Sequence, residues 1–123
     1  MLLSRNELEN LTKSFDQWHV SIYMPTHQAG KEIQQNPIRL KNLLDEAQEL
    51  LLEAGLSLSE AQALLNPARV YVEDEIFWQH QNEGLAMFLA EDFFRYYQVP
   101  FGFDEFVVVG EHFHIKPLIP LLS

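Results

Sequence analysis

A chain of 123 residues with 47% hydrophobic and 12% aromatic content has the size and composition of one packed domain, too apolar to stay disordered. Its formal charge of −10, from 18 acidic and 8 basic side chains, excludes a face that coats nucleic acid, since phosphate neutralisation supplies most of that affinity. Without cysteine there is no disulfide, thiolate or zinc–cysteine chemistry, which fits the cytoplasm, and no apolar run approaches the roughly 20 residues of a membrane-crossing helix.

Met1-Leu2-Leu3 runs straight into polar helix-type sequence and does not read as a signal peptide. Ser4-Arg5-Asn6-Glu7 has the form of a capping box, with Leu3 and Leu8 at the positions of a hydrophobic staple. Leu8, Leu11 and Phe15 mark one face of a helix over about residues 5–14. From Trp18 the pattern alternates: Trp18, Val20, Ile22 and Met24 face one way, His19, Ser21 and Tyr23 the other. This predicts a strand with at least one buried side, ended by Pro25, which cannot donate to a ladder.

A polar loop from Thr26 to Gln35 follows. Asn36-Pro37 reads as a helix start, with asparagine as N-cap and proline in the first helical position. Ile38, Leu40, Leu43, Leu44, Ala47, Leu50, Leu51 and Ala54 carry the apolar stripe of a long helix over residues 37–54, and Gly55 suits its end. Ser57-Leu58-Ser59-Glu60 is a second capping box and predicts a short helix to Leu65. Asn66-Pro67 repeats the asparagine–proline pair and predicts a new helix to about His80, with a short strand over residues 69–72 as the alternative.

After Asn82-Glu83-Gly84 the period changes to two. Residues 85–90, 93–99 and 105–109 read as strands, the first two joined by a Glu91-Asp92 turn, and residues 112–116 as a further one. Helices early, strands late and one early strand predict an α+β fold, a mixed or antiparallel sheet of four to five strands with helices packed on it. The domain is placed at residues 1–116. The apolar residues 117–123 are expected either to pack on it or to begin a linker to a further domain.

The candidate binding site is the one region of concentrated positive charge. Lys31, Arg39 and Lys41, three of the eight basic residues, flank the helix start together with His27 and Asn42. Unpaired amides and the macrodipole there favour an anion, such as an RNA phosphate or an acidic partner surface. The bland reading is local pairing, Lys41 with Asp45 at i,i+4 and Lys31 with a nearby acid. His112 and His114 could share a metal on a strand, but no third ligand stands at a recognisable spacing. Glu73-Asp74-Glu75 reads as a solvated acidic run. No G-x-S-x-G, P-loop or G-x-G-x-x-G pattern occurs. No catalytic residue, metal site or cofactor is therefore assigned.

Four strings carry a resemblance: Val20-Ser21-Ile22-Tyr23-Met24-Pro25-Thr26-His27; Gln35-Asn36-Pro37-Ile38-Arg39-Leu40-Lys41-Asn42-Leu43-Leu44; Phe77-Trp78-Gln79-His80-Gln81 with Gly84-Leu85-Ala86-Met87-Phe88-Leu89; and Phe113-His114-Ile115-Lys116-Pro117-Leu118. In this order they resemble the amino-terminal region of the bacterial and archaeal release-factor-like proteins, divergent relatives of the archaeo-eukaryotic peptide chain release factors and of Pelota/Dom34. The resemblance spans about residues 18–122. It implies a multidomain parent in which peptide release belongs to a Gly-Gly-Gln loop of a middle domain. This chain has no Gly-Gly-Gln, no Asn-Ile-Lys-Ser and no Tyr-x-Cys, so neither peptidyl-tRNA hydrolysis nor stop-codon reading carries over. What carries over is a non-catalytic domain that positions its parent on the ribosome or a ribosome-bound factor. The rival expectation is a protein–protein interaction module, or a homo-oligomer, using exposed aromatics or the apolar carboxy-terminal segment.

Overall fold

The structure is a computed structural model that describes residues 4–6, 18–26 and 34–121. Beyond Asn6, the helix expected over residues 5–14 lies outside the described residues.

Strands β1 (His19–Pro25), β2 (Gly84–Ala90), β3 (Phe93–Val99) and β4 (Phe106–Gly110) form one antiparallel sheet in the order β3-β2-β1-β4. The early strand is therefore internal. It pairs Val20, Ile22 and Met24 with Leu89, Met87 and Leu85 on one edge, and Val20 and Ile22 with Val109 and Val107 on the other. Both faces of β1 are covered, so every residue from His19 to Met24 is buried. The period-two alternation separates two cores here rather than a core from solvent.

The first core lies under the helices. α1 (Gln35–Glu53) presents Leu40, Leu43, Leu44, Ala47 and Leu51, a spacing that keeps them on one stripe. The expected stripe is wider, but Leu50 and Ala54 at its border are only half-buried and Ile38 is exposed. α2 (Leu58–Arg69) adds Ala61, Leu65 and Ala68, and α3 (Glu75–Gln79) adds Phe77 and Trp78. All meet the sheet face of Val20, Ile22, Met24 and Met87.

The second core lies on the opposite face, where Tyr23, Phe88 and Tyr97 are covered by Phe113 and Leu118 from the chain after β4. Two polar side chains of the central strand hold that cover. The Ser21 Oγ accepts from the His114 amide at 2.8 Å, and the Tyr23 hydroxyl donates to the His114 carbonyl. Here the structure corrects the expected strand at 112–116. The segment spends its His114 backbone groups on side chains in the middle of the sheet, so it lies across the face instead of extending an edge. It continues into a 3-10 helix, Lys116–Leu121, whose Leu118 is fully buried. Of the described apolar residues after 116, Leu118 packs into the domain, while Ile119 and Pro120 are exposed.

Two helix boundaries also differ from the sequence reading. α1 begins at Gln35 with Gln34 at its N-cap, and Asn36 is buried in the first turn instead of capping it. Pro37 is tolerated there because a first-turn amide has no intrahelical acceptor. Asn66-Pro67 starts nothing: α2 runs through Pro67 to Arg69. The carbonyl this proline cannot serve is that of Ala63, on an exposed residue of the helix. Residues 70–73 are turn, neither helix nor strand, and α3 restarts with Asp74 as its N-cap, whose carboxylate accepts from the Phe77 amide at 3.0 Å.

Candidate functional site

The basic stretch enters from β1 through Thr26, which is buried. Its amide donates to the Glu83 carbonyl at 3.0 Å and its hydroxyl to the Asn82 carbonyl. This pair fixes where the chain leaves the sheet. His27 and Lys31 lie outside the described residues. Arg39, Lys41 and Asn42 stand on α1, and the helix divides them. Residues two apart are separated by about 200° around the axis, so Arg39 and Lys41 meet different neighbours. The Arg39 Nε lies 3.4 Å from the Glu105 carboxylate, just before β4. The Lys41 Nζ lies 3.1 Å from Asp45, whose other oxygen is 3.1 Å from the Arg69 guanidinium of α2. Asn42 is exposed.

Both described cations are thus engaged with carboxylates, and the i,i+4 pairing of Lys41 with Asp45 is the local one that the spacing suggested. Burial is the largest single influence on the Asp45 carboxyl and raises it, but the hydrogen bonds from Lys41 and Arg69 and the attraction of their charges together outweigh it and hold the group below its ordinary value. Asp45 is half-exposed, so each of these pairs contributes no more than about 1 kcal/mol. Arg39 Nη1 is buried without a hydrogen-bond partner among the described residues. Arg39 and Lys41 do not converge on one anion.

The remaining sequence candidates resolve into structural roles. His112 is exposed and His114 half-buried, off any strand. Among the described residues no group of three His, Asp or Glu side chains could hold a metal ion. In the Glu73-Asp74-Glu75 run, Asp74 is the cap of α3. His80 is exposed.

A cleft that sequence reasoning did not find lies along α2, with a volume of about 680 Å³. One wall is α2, through Ala63, Leu64 and Pro67, with Leu56 two residues before it. The other is the β2–β3 hairpin end, through Ala90, Phe93 and Phe94, and Trp18 lies beside them. Exposed carboxylates of Glu60, Glu91 and Asp92 also line it. Glu60 is fixed by its capping box, accepting from the Ser57 amide at 2.8 Å while its own amide donates to the Ser57 hydroxyl. Those bonds, the backbone one first, hold its carboxyl below the ordinary value, so it is charged at neutral pH. Asp92 takes a left-handed backbone, φ 56°, that closes the two-residue turn. The cleft has the makings of a binding surface. Its aromatics and its acidic doublet are visible in the sequence, but only the hairpin folded beside α2 puts them together.

No protein-family model matches the chain, and no curated protein matches it. Function is therefore weighed on this geometry and on the four strings quoted above.

Proposed function

We propose that the chain is a release-factor-like amino-terminal domain, a non-catalytic module that positions a larger protein on a ribosome-associated target in the cytoplasm. What supports this is where the four strings fall. The first is the central strand β1 and its exit. The second opens α1. The third supplies α3 and β2, the strand paired with β1. The fourth is the cover pinned to β1 by Ser21 and Tyr23. Strings far apart in sequence meet as one framework, so the likeness concerns how the chain folds. The function must still come from a surface. On this reading the contact is made at the start of α1, by Arg39 and Lys41 there and by Lys31 from the stretch that precedes it in sequence. Because Arg39 and Lys41 do not converge, contact there would exchange their Glu105 and Asp45 partners for separate RNA phosphates.

Co-sedimentation of the intact protein with ribosomes over a salt series tests it. The expected result is an association that weakens with salt and is lost when Lys31, Arg39 and Lys41 are all changed to alanine. No association, or one indifferent to both, would sink the reading.

A protein–protein interaction module without a ribosome role is the second reading, favoured by the cleft beside Trp18. Its expected surfaces need correcting, however. Phe88, Tyr97, Phe113 and Leu118 are spent inside the second core, which leaves Phe93 and Phe94 half-exposed at the cleft. Among the described residues, Ile38, Leu58, Val70, Ile76 and, in the carboxy-terminal apolar segment, Ile119 are the large aliphatics left exposed.

A further inference from the structure

The cleft combines two features that ribosome positioning does not use. Its floor is apolar and half-buried, with Trp18, Leu64, Phe93 and Phe94 still reachable. The charged side chains lining it are all carboxylates, those of Glu60, Glu91 and Asp92. An acidic rim repels nucleic acid, and it repels a second copy of a chain carrying −10. A metal ion or a small polyamine would leave the aromatic floor uncovered. The matching occupant carries both cations and large apolar side chains. One such contact already exists within the molecule: the Arg95 guanidinium stacks 5.0 Å from the centre of the Phe93 ring. The volume, about 680 Å³, lies within the range of specific ligand sites.

We propose that this cleft docks a basic amphipathic segment of a partner protein. The segment lays an apolar side chain on Trp18 and Phe94 and pairs Lys or Arg with Glu60, Glu91 and Asp92. The inference is independent of the ribosome reading.

The test uses the full chain and a labelled helical peptide of Leu and Lys with one Trp. Controls are its counterpart with Glu in place of Lys and a single-stranded oligonucleotide. Anisotropy gives the affinity and amide NMR shifts give the location. The basic peptide should bind, shift residues 56–67 and 90–94, and weaken with salt. The variant Glu60→Gln/Glu91→Gln/Asp92→Asn removes three charges while glutamine keeps the capping box and asparagine tolerates the left-handed turn. It should melt close to the wild type and bind about tenfold more weakly. Trp18→Ala should weaken binding as well.

Equal binding of the acidic peptide, an unaffected triple variant, or an oligonucleotide that shifts the same residues would each overturn the proposal. So would self-association abolished by Trp18→Ala, which gives the cleft to a second copy. Cleft amides that shift on Leu8→Ala or Phe15→Ala without peptide would give it to the chain's own amino-terminal residues.

Discussion

Tyr23→Phe deletes one oxygen from the centre of the sheet and leaves everything else in place. The ring keeps its contacts with Phe88, Phe103 and Phe106, at centroid distances of 5.9, 5.0 and 4.9 Å. What is lost is the part-buried hydrogen bond to the carbonyl of the half-buried His114. A hydrogen bond of this kind contributes about 1 kcal/mol net, and an acceptor stranded in the interior costs about 1–3 kcal/mol. We expect a loss of about 2 kcal/mol, or roughly 6–10 °C in Tm for a domain of this size. Urea unfolding followed by Trp fluorescence measures it globally. Amide exchange at residues 113–118 measures it locally, and protection there should fall first. Ser21→Ala acts on the other side of the same residue by removing the acceptor of the His114 amide. Because both side chains grip one peptide unit, the double variant should cost less than the sum of the singles. The alkaline limb adds a signature. Burial pushes the Tyr23 phenol above its ordinary value, so its contribution is complete below about pH 10 and is lost as pH rises toward the folded value. Tyr23→Phe should flatten that limb. A cost under about 0.5 kcal/mol, or strict additivity with Ser21→Ala, would refute the claim that these two side chains pin the second-face cover.

Gly84→Ala should be the most damaging small substitution, because a Cβ there would lie 2.2 Å from the Phe101 carbonyl oxygen and 2.9 Å from a Val99 methyl. A loss of about 3 kcal/mol in urea unfolding is expected, and a near-neutral result would mean the 100–105 loop yields easily. Asp74→Ala removes the α3 cap and should cost about 1 kcal/mol, with increased exchange at Phe77. Asp45→Asn should cost under about 1 kcal/mol and less in high salt. Since the folded carboxyl of Asp45 sits below its ordinary value, its contribution is present above about pH 4 and is lost as pH falls through the folded value. The variant should therefore show a shallower acid limb in a pH series of melts.

Local rules were enough for much of the chain. The α1 stripe from Leu40 to Leu51, the Ser57–Glu60 capping box and the Glu91-Asp92 turn depend on neighbours within a few residues, and all three stand as the sequence predicts. The i,i+4 pair of Lys41 and Asp45 is equally local. Asn-Pro pairs misled because their signal is ambiguous. Proline needs only a position where its missing amide is harmless, and both the first turn of α1 and the exposed last turn of α2 supply one.

Tertiary structure decided what depends on distant residues. A His19–Met24 run reads the same whether one face or two are covered; only the return of Phe113 and Leu118 across the sheet makes both faces interior. The same return turned residues 112–116 from an expected strand into a cover, because Ser21 and Tyr23, more than ninety positions earlier, supplied partners for His114. Charge followed the same division. The sequence by itself determined that positive charge is scarce and gathered near the start of α1. Folding decided that Arg39 faces Glu105 and that Asp45 joins Lys41 to Arg69. It also set the aromatic floor beside Trp18 among carboxylates from α2 and a hairpin turn, a surface that exists only where separate elements meet.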